Sequence, residues 1–360
     1  MKITKTYLSI FSFAVLFMLI ACERDTQIIE TISENDAEPT PYFLDIPSNF
    51  QDVIIPADNP LTYEGIQLGR KLFYDPILSK DNTQSCSSCH SQEYGFTDHG
   101  NSVSVGVDGI AGTRNSMAII NLGYNTHLFW DGRELTLEDQ AHDPVVNPIE
   151  MNSTWPDVLA KLNADSMYVS DFRFVFGVDV IDSVDVMKAI AQFERTLISG
   201  NSKYDKHRRG ETTLSLIEIR GEAIFNSEAA DCFHCHGYPY FMSSDFHNNG
   251  VQHTIQDSGR ARVTGAFGDI AKFKAPTLRN IAVTGPYMHD GRFQTLEEVV
   301  EFYNSGVDQS FPTVDPFMRK SNRVNGSLGL SDYDKQALVA FLHTLTDTTF
   351  LTDPRFSNPN

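Results

Sequence analysis

The chain has 360 residues, 41% of them hydrophobic and 21% charged, enough apolar surface for sizeable cores, which excludes disorder and fibrous repeats. With 28 basic residues against 47 acidic ones the net charge is −19, which excludes a basic nucleic-acid face and adsorption to an anionic membrane surface. At this length two domains are the natural expectation.

Lys2 and Lys5 precede the apolar run 7–20, the charged start and short hydrophobic stretch of an export signal rather than a membrane span. The run ends in Leu19-Ile20-Ala21-Cys22, which resembles the lipobox at which bacterial lipoproteins are cleaved and lipidated on the cysteine. Residues 1–21 are then a lipoprotein signal peptide and Cys22 the lipidation site. The protein is expected in the periplasm or cell envelope, touching a membrane only through that lipid anchor. Residues 22–42, rich in Glu, Asp, Thr, Ser and Pro, read as a flexible tether.

From residue 43 onward the chain repeats itself. Gly69-Arg70-Lys71-Leu72-Phe73 precedes Cys86-Ser87-Ser88-Cys89-His90, and Gly221-Glu222-Ala223-Ile224-Phe225 precedes Cys232-Phe233-His234-Cys235-His236. Asp131-Gly132-Arg133 with Thr136-Leu137 matches Asp290-Gly291-Arg292 with Thr295-Leu296, and each half closes on an apolar pattern of helical spacing, around Ala189–Leu197 and Ala337–Leu345. Thr295 and Glu298 form a capping box, which predicts a helix from Thr295 to Tyr303 that stops near Gly306. No comparably long alternating strand pattern appears. The fold class expected is all-α, or mainly α, with two duplicated domains at 43–203 and 204–350 and a tail at 351–360.

Four of the five cysteines fall in the two Cys-x-x-Cys-His motifs, the signature of c-type haem attachment. Two thiols a helical turn apart add to the two vinyl groups of one porphyrin, and the adjacent imidazole reaches the iron. Cys86, Cys89 and His90 would hold one haem, and Cys232, Cys235 and His236 the other. A zinc site or a pair of disulfides would use the same cysteines but leaves unexplained a histidine directly after both pairs.

These motifs, with Trp130-Asp131-Gly132-Arg133 and Pro286-Tyr287-Met288-His289-Asp290-Gly291, resemble the bacterial di-haem cytochrome c peroxidase and MauG family over most of the chain, from about residue 56 to 346. The resemblance implies two tandem cytochrome c-like domains, an N-terminal haem where peroxide reacts, a C-terminal haem that passes electrons, and a calcium ion between them. Glu150 matches the catalytic glutamate, Gln140 the distal-pocket glutamine and Pro144 the distal proline, and Trp130 the tryptophan between the haems. Local sequence alone would leave Glu150 a surface carboxylate and Trp130 a packed aromatic.

Where many relatives carry a loop histidine that closes the peroxide site until reduction, this chain has Val107, which suggests an always-open site; His99 is the nearest alternative ligand. The register places Tyr303 as the distal ligand of the second haem, with Met288 and Met318 competing and His289 lining the pocket. By resemblance Asn115 would give calcium its side chain, and Thr284 and Pro286 their backbone oxygens.

The activity implied is that of a cytochrome-c peroxidase, reducing hydrogen peroxide to water with electrons from a small redox protein such as a cytochrome c or a cupredoxin. The alternatives are MauG-like oxidation of a partner protein, and a non-catalytic di-haem electron carrier. Nucleic acid is not an expected partner; a second copy of the chain, in a homodimer, is compatible with the reading.

Overall fold

In the computed structural model, which describes residues 38–319 and 327–359, the repeated segments become two pairs of crossing helices. Helix α1 (Tyr63–Tyr74) starts at Thr62, whose hydroxyl accepts from Gly65 N, and buries Ile66, Leu68, Leu72 and Phe73. It packs on α5 (Ser183–Arg195), which begins in an Asp182/Asp185 capping box and buries Val186, Ile190 and Phe193. In the second half α7 (Leu216–Phe225) packs in the same way on α11 (Asp332–His343). A glycine sits at each crossing. A Cβ on Gly69 would collide with the Ala189 carbonyl, and one on Gly221 with the Ala337 carbonyl, so only glycine permits either approach.

Between α1 and α5 the chain forms α2 (Leu137–Val146), α3 (Trp155–Ala164) and α4 (Ser166–Phe176), and α6 (Lys203–Arg208) follows before the second pair. The second half adds α8 (Cys232–Cys235), α9 (Ala261–Thr264), α10 (Leu296–Glu301) and α12 (Thr348–Leu351). The fold is mainly helical. The expected capping box at Thr295 and Glu298 is present. Its helix turns α-helical only to Glu301, after which Phe302–Gly306 is a π-turn that carries Tyr303, a distortion that recurs at functional sites.

The duplication extends to single hydrogen bonds. Asn121 and Asn280 both have left-handed backbones, and their N–H groups donate to Leu197 O and Leu345 O. The Asn121 side chain accepts from Ser199 N, and that of Asn280 from Asp347 N, at 2.9 and 2.7 Å. Apolar clusters largely follow the same division: one gathers residues between Tyr204 and Leu345, while two others gather chiefly residues between Leu61 and Leu197.

Three features are absent from the sequence reading. A two-stranded antiparallel sheet pairs β1 (Ser243–His247) with β2 (Phe273–Ala275) through a bulge, too short to show an alternating pattern. Backbone pairing starts ahead of residue 43, where Tyr42 N donates to Leu61 O and Tyr63 N to Thr40 O, and Thr40 N also donates to the Glu64 carboxylate. After α12 the chain returns to the first half: Phe350 and Phe356 join its core, and Arg70 donates to Pro354 O and Ser357 O. The signal peptide, Cys22 and most of the tether lie outside the described residues. Among the described residues no helix is long and apolar enough to cross a membrane.

Candidate active site

Each Cys-x-x-Cys-His segment opens into its own cavity. Cys86, Cys89 and His90 line the first, of about 900 Å³, together with Gln140, Pro144 and Glu150. Cys232, Cys235 and His236 line the second, a narrower space of about 230 Å³, together with Met288, Tyr303 and Met318. The four thiols are not paired with one another.

Both histidines are prepared as metal ligands by the same device. His90 Nδ1 donates to Phe96 O at 2.7 Å, and His236 Nδ1 donates to Phe241 O at 3.1 Å. This fixes the tautomer and leaves Nε2 as the lone-pair nitrogen. Burial keeps both imidazoles neutral, lowering His90 and pulling His236 down to about 4.

The first cavity also holds buried polar atoms to which the protein gives no partner, Gln84 Oε1, Asn125 Oδ1 and Glu194 Oε2, which suits a bulky group with polar edges better than an apolar void. Paired thiols, an oriented neutral imidazole and a cavity at each motif fit a covalently held haem.

The peroxide-side residues predicted from sequence converge. Gln140 and Pro144 lie one turn apart on the same face of α2. At the end of that helix Asn147–Glu150 forms a turn, with Glu150 N donating to Asn147 O. Asn147 Nδ2 then donates to Glu150 Oε1 at 2.6 Å, holding the carboxylate in place. Burial raises the Glu150 carboxyl above its ordinary range, against the opposing pull of Asn147 and Arg133. A carboxyl whose neutral form is favoured in this way is better suited than an ordinary one to take a proton and return it.

Val107 is tied to this turn through its backbone, its N–H donating to Glu150 O, and the neighbouring cavity wall is Val105 and Gly106. His99 lines neither cavity. It is exposed and stacks on Tyr94 at 3.8 Å.

Trp130 lines both cavities, its Nε1 donating to Asn115 O at 2.9 Å. His289 is buried in the second cavity, stacked on Phe273 at 3.9 Å and edge-on to Trp130. Tyr303, Met288 and Met318 all line that cavity, and the Asn249 amide donates to both Tyr303 Oη, at 3.2 Å, and Met288 Sδ. Asn115, Thr284 and Pro286 line the same cavity. The Asn115 amide nitrogen is engaged by Asn101 O and Ser102 O, which leaves its side-chain oxygen turned to other uses.

Comparison with known proteins agrees with this geometry. The family model described as di-haem cytochrome c peroxidase matches residues 63–213. The methylamine utilization protein MauG of Methylorubrum extorquens is 35% identical over 81% of this chain and 80% of its own length. The chain belongs to the di-haem cytochrome c peroxidase family. The cytochrome c551 peroxidase of Nitrosomonas europaea is 38% identical over 69% of this chain and 75% of its own length. A solved structure of a MauG-like protein associated with microbial copper homeostasis superposes with a TM-score of 0.79 at 36% identity, covering 88% of this chain and 99% of that one. Membership carries with it two c-type haems and peroxidase chemistry, so this di-haem peroxidase is an oxidoreductase acting on peroxide.

Two buried ionisable groups of the first cavity escaped the sequence reading, Lys274 and Glu194. Glu194 lies one turn beyond Ile190 on the buried face of α5, and that spacing is the signal that could have found it. Burial lifts its carboxyl to about 8, with Arg195 opposing and Glu138 adding.

The folded protein therefore holds a proton on Glu194 that the unfolded chain, with an ordinary carboxyl, has already released. The associated stability is complete below the ordinary carboxylate range and is lost as pH rises towards 8. Urea unfolding at about pH 5 and about pH 8 should show wild type losing a few kcal/mol more than Glu194→Gln across that window. Equal losses would mean that Glu194 is ionised in the folded protein.

Proposed function

We propose that this protein is an exported, lipid-anchored di-haem peroxidase of the cell envelope, with tandem cytochrome c-like domains at 43–203 and 204–350 carrying one haem each. It reduces hydrogen peroxide to water with two protons and two electrons, the electrons coming from a small redox protein through the second haem. The observation that carries this reading is the asymmetry of the two cavities: both have a Cys-x-x-Cys-His wall, but only the first has Glu150 and Gln140.

When bound, the haems supply the redox chemistry and the open coordination position. The chain's own residues do the rest. Glu150, fixed by Asn147, takes the proton from one peroxide oxygen and returns it to the other; Gln140 orients the bound peroxide by hydrogen bonding; Trp130, shared by the two cavities, relays electrons between them. His90 and His236 would hold the two haem irons through Nε2. Calcium is proposed at Asn115, Thr284 and Pro286, supported by the Asn115 oxygen that its own hydrogen bonds leave available. Export and the anchor rest on Lys2, Lys5 and the Cys22 segment.

A MauG-like second reading, in which peroxide-derived oxidising equivalents modify a partner protein, is favoured by Tyr303 at the second cavity and by the position of Val107. A phenolate ligand stabilises Fe(III), and an aliphatic side chain cannot close the first iron. The test is to purify the protein with its haems and titrate the oxidised and half-reduced forms with peroxide under absorption and EPR detection.

The denatured mature protein should weigh two haems more than its polypeptide. The oxidised form should react without prior reduction, and Tyr303→Phe should change the low-spin spectrum of the second haem. Two low-spin haems that react only after one-electron reduction would replace this model with a reductively activated peroxidase. An unchanged Tyr303→Phe spectrum would move the ligand to Met288 or Met318.

A further inference from the structure

Lys274 is the middle residue of β2, 3% exposed, with its N–H bound to Trp130 O at 2.9 Å. Side chains alternate along a strand, so Phe273 and Lys274 leave β2 on opposite faces. Phe273 stacks on His289 and lines the second cavity alone, whereas Lys274, like Pro276 and Thr277, reaches the wall of both cavities. The charge of Lys274 is felt at His127, just before the Leu128-Phe129-Trp130 wall of the first cavity. Lys274 therefore turns towards the first cavity from a strand that also walls the second.

The other cations of the first cavity are matched by the protein. Arg114 pairs with Asp131 and Asp257, Arg133 with Asp131 and Asp143, and Arg262 with Asp257. Among the described residues no carboxylate pairs with Lys274. Burial alone acts on it and lowers it to about 8, with no acid offsetting the effect.

Burying an ammonium ion without a counter-charge costs several kcal/mol, so a fold that keeps one has an anion for it. The group that fits this cavity brings such anions, because a haem carries two propionate carboxylates that also need a partner away from water.

We propose that Lys274 is the counter-cation of a haem propionate in the first site, binding it from the Trp130 side and raising the reduction potential of that haem. The inference rests on the di-haem reading above, which the two haem additions in the mass of wild-type protein test separately. A positive charge beside the haem disfavours the additional positive charge of Fe(III). Removing it should therefore lower the potential.

The experiment is a spectroelectrochemical titration of holoprotein in wild type, Lys274→Met and Lys274→Arg. Lys274→Met, which keeps the length of the side chain, should shift the potential of the first haem to more negative values and leave the second nearly in place. Lys274→Arg should restore most of the shift. Unchanged potentials in Lys274→Met, or an equal shift of both haems, would overturn the proposal.

If Lys274→Met fails to load its haems, resonance Raman spectra of wild type and Lys274→Arg decide instead. The propionate bending modes of the first haem should move when the ammonium is exchanged for a guanidinium, and modes that stay in place would show that residue 274 does not touch a propionate.

Discussion

Glu150→Gln should lower peroxide turnover by ~10²-fold or more while both haems stay attached, the loss expected when a positioned general acid and base is removed. The substitution is conservative for the fold. A glutamine at this position keeps an oxygen that can accept from Asn147 Nδ2, and the backbone bonds Glu150 N to Asn147 O and Val107 N to Glu150 O do not depend on the side chain. What it removes is the capacity to carry a proton.

Because burial raises the Glu150 carboxyl, the acid limb of the wild-type turnover profile should lie above the ordinary carboxylate range, and the variant's residual activity should lack that limb. Steady-state peroxide consumption across pH, with haem content checked by mass, decides the matter. Unchanged turnover would reduce Glu150 to a structural carboxylate.

Arg279→Met should produce the largest loss of stability, about 3–5 kcal/mol, the usual consequence of leaving one member of a buried ion pair uncompensated. Arg279 and Asp205 both have 0% side-chain exposure and share two hydrogen bonds of 2.7 and 2.9 Å. The guanidinium also donates to Pro239 O and lies over the Phe50 and Phe241 rings.

Burial by itself would raise the Asp205 carboxyl, but Arg279 overrides it and holds the group below its ordinary value. Methionine would strand that carboxylate. The double substitution Arg279→Met with Asp205→Leu should regain part of the loss, since two apolar groups leave no charge unpaired. Denaturant midpoints of the wild type and the two variants measure the effect; a loss within about 1 kcal/mol for Arg279→Met would show that water reaches the site.

The haem-attachment segments were legible because their chemistry is local. The Cys-x-x-Cys-His spacing places both thiols and the imidazole of Cys86–His90 and of Cys232–His236 within a single turn of chain. The duplication was legible for a related reason, since Gly69 and Gly221 answer to the same helix crossing and each half repeats the same order of motifs. Glu150 and Tyr303 were reached only through the family register, because a lone carboxylate or tyrosine in a loop has no local mark. The structure then places Glu150 and Gln140 in one cavity and Tyr303 in the other.

By itself, then, the sequence determined the helical class, the two-fold internal repeat and the two thiol-thiol-imidazole sets, all of which depend on contacts a few residues apart. Only the tertiary structure decided that His90 and His236 are held by carbonyls of Phe96 and Phe241, and that His99 faces outward on Tyr94. It alone showed that Trp130 is common to both cavities, that Lys274 and Arg279 carry their charges into the interior and that Glu194 carries its carboxyl there. The physical reason is burial: the dielectric surroundings and the partner of a charged side chain come from segments distant in sequence, and residue type and spacing say nothing about either until those segments pack.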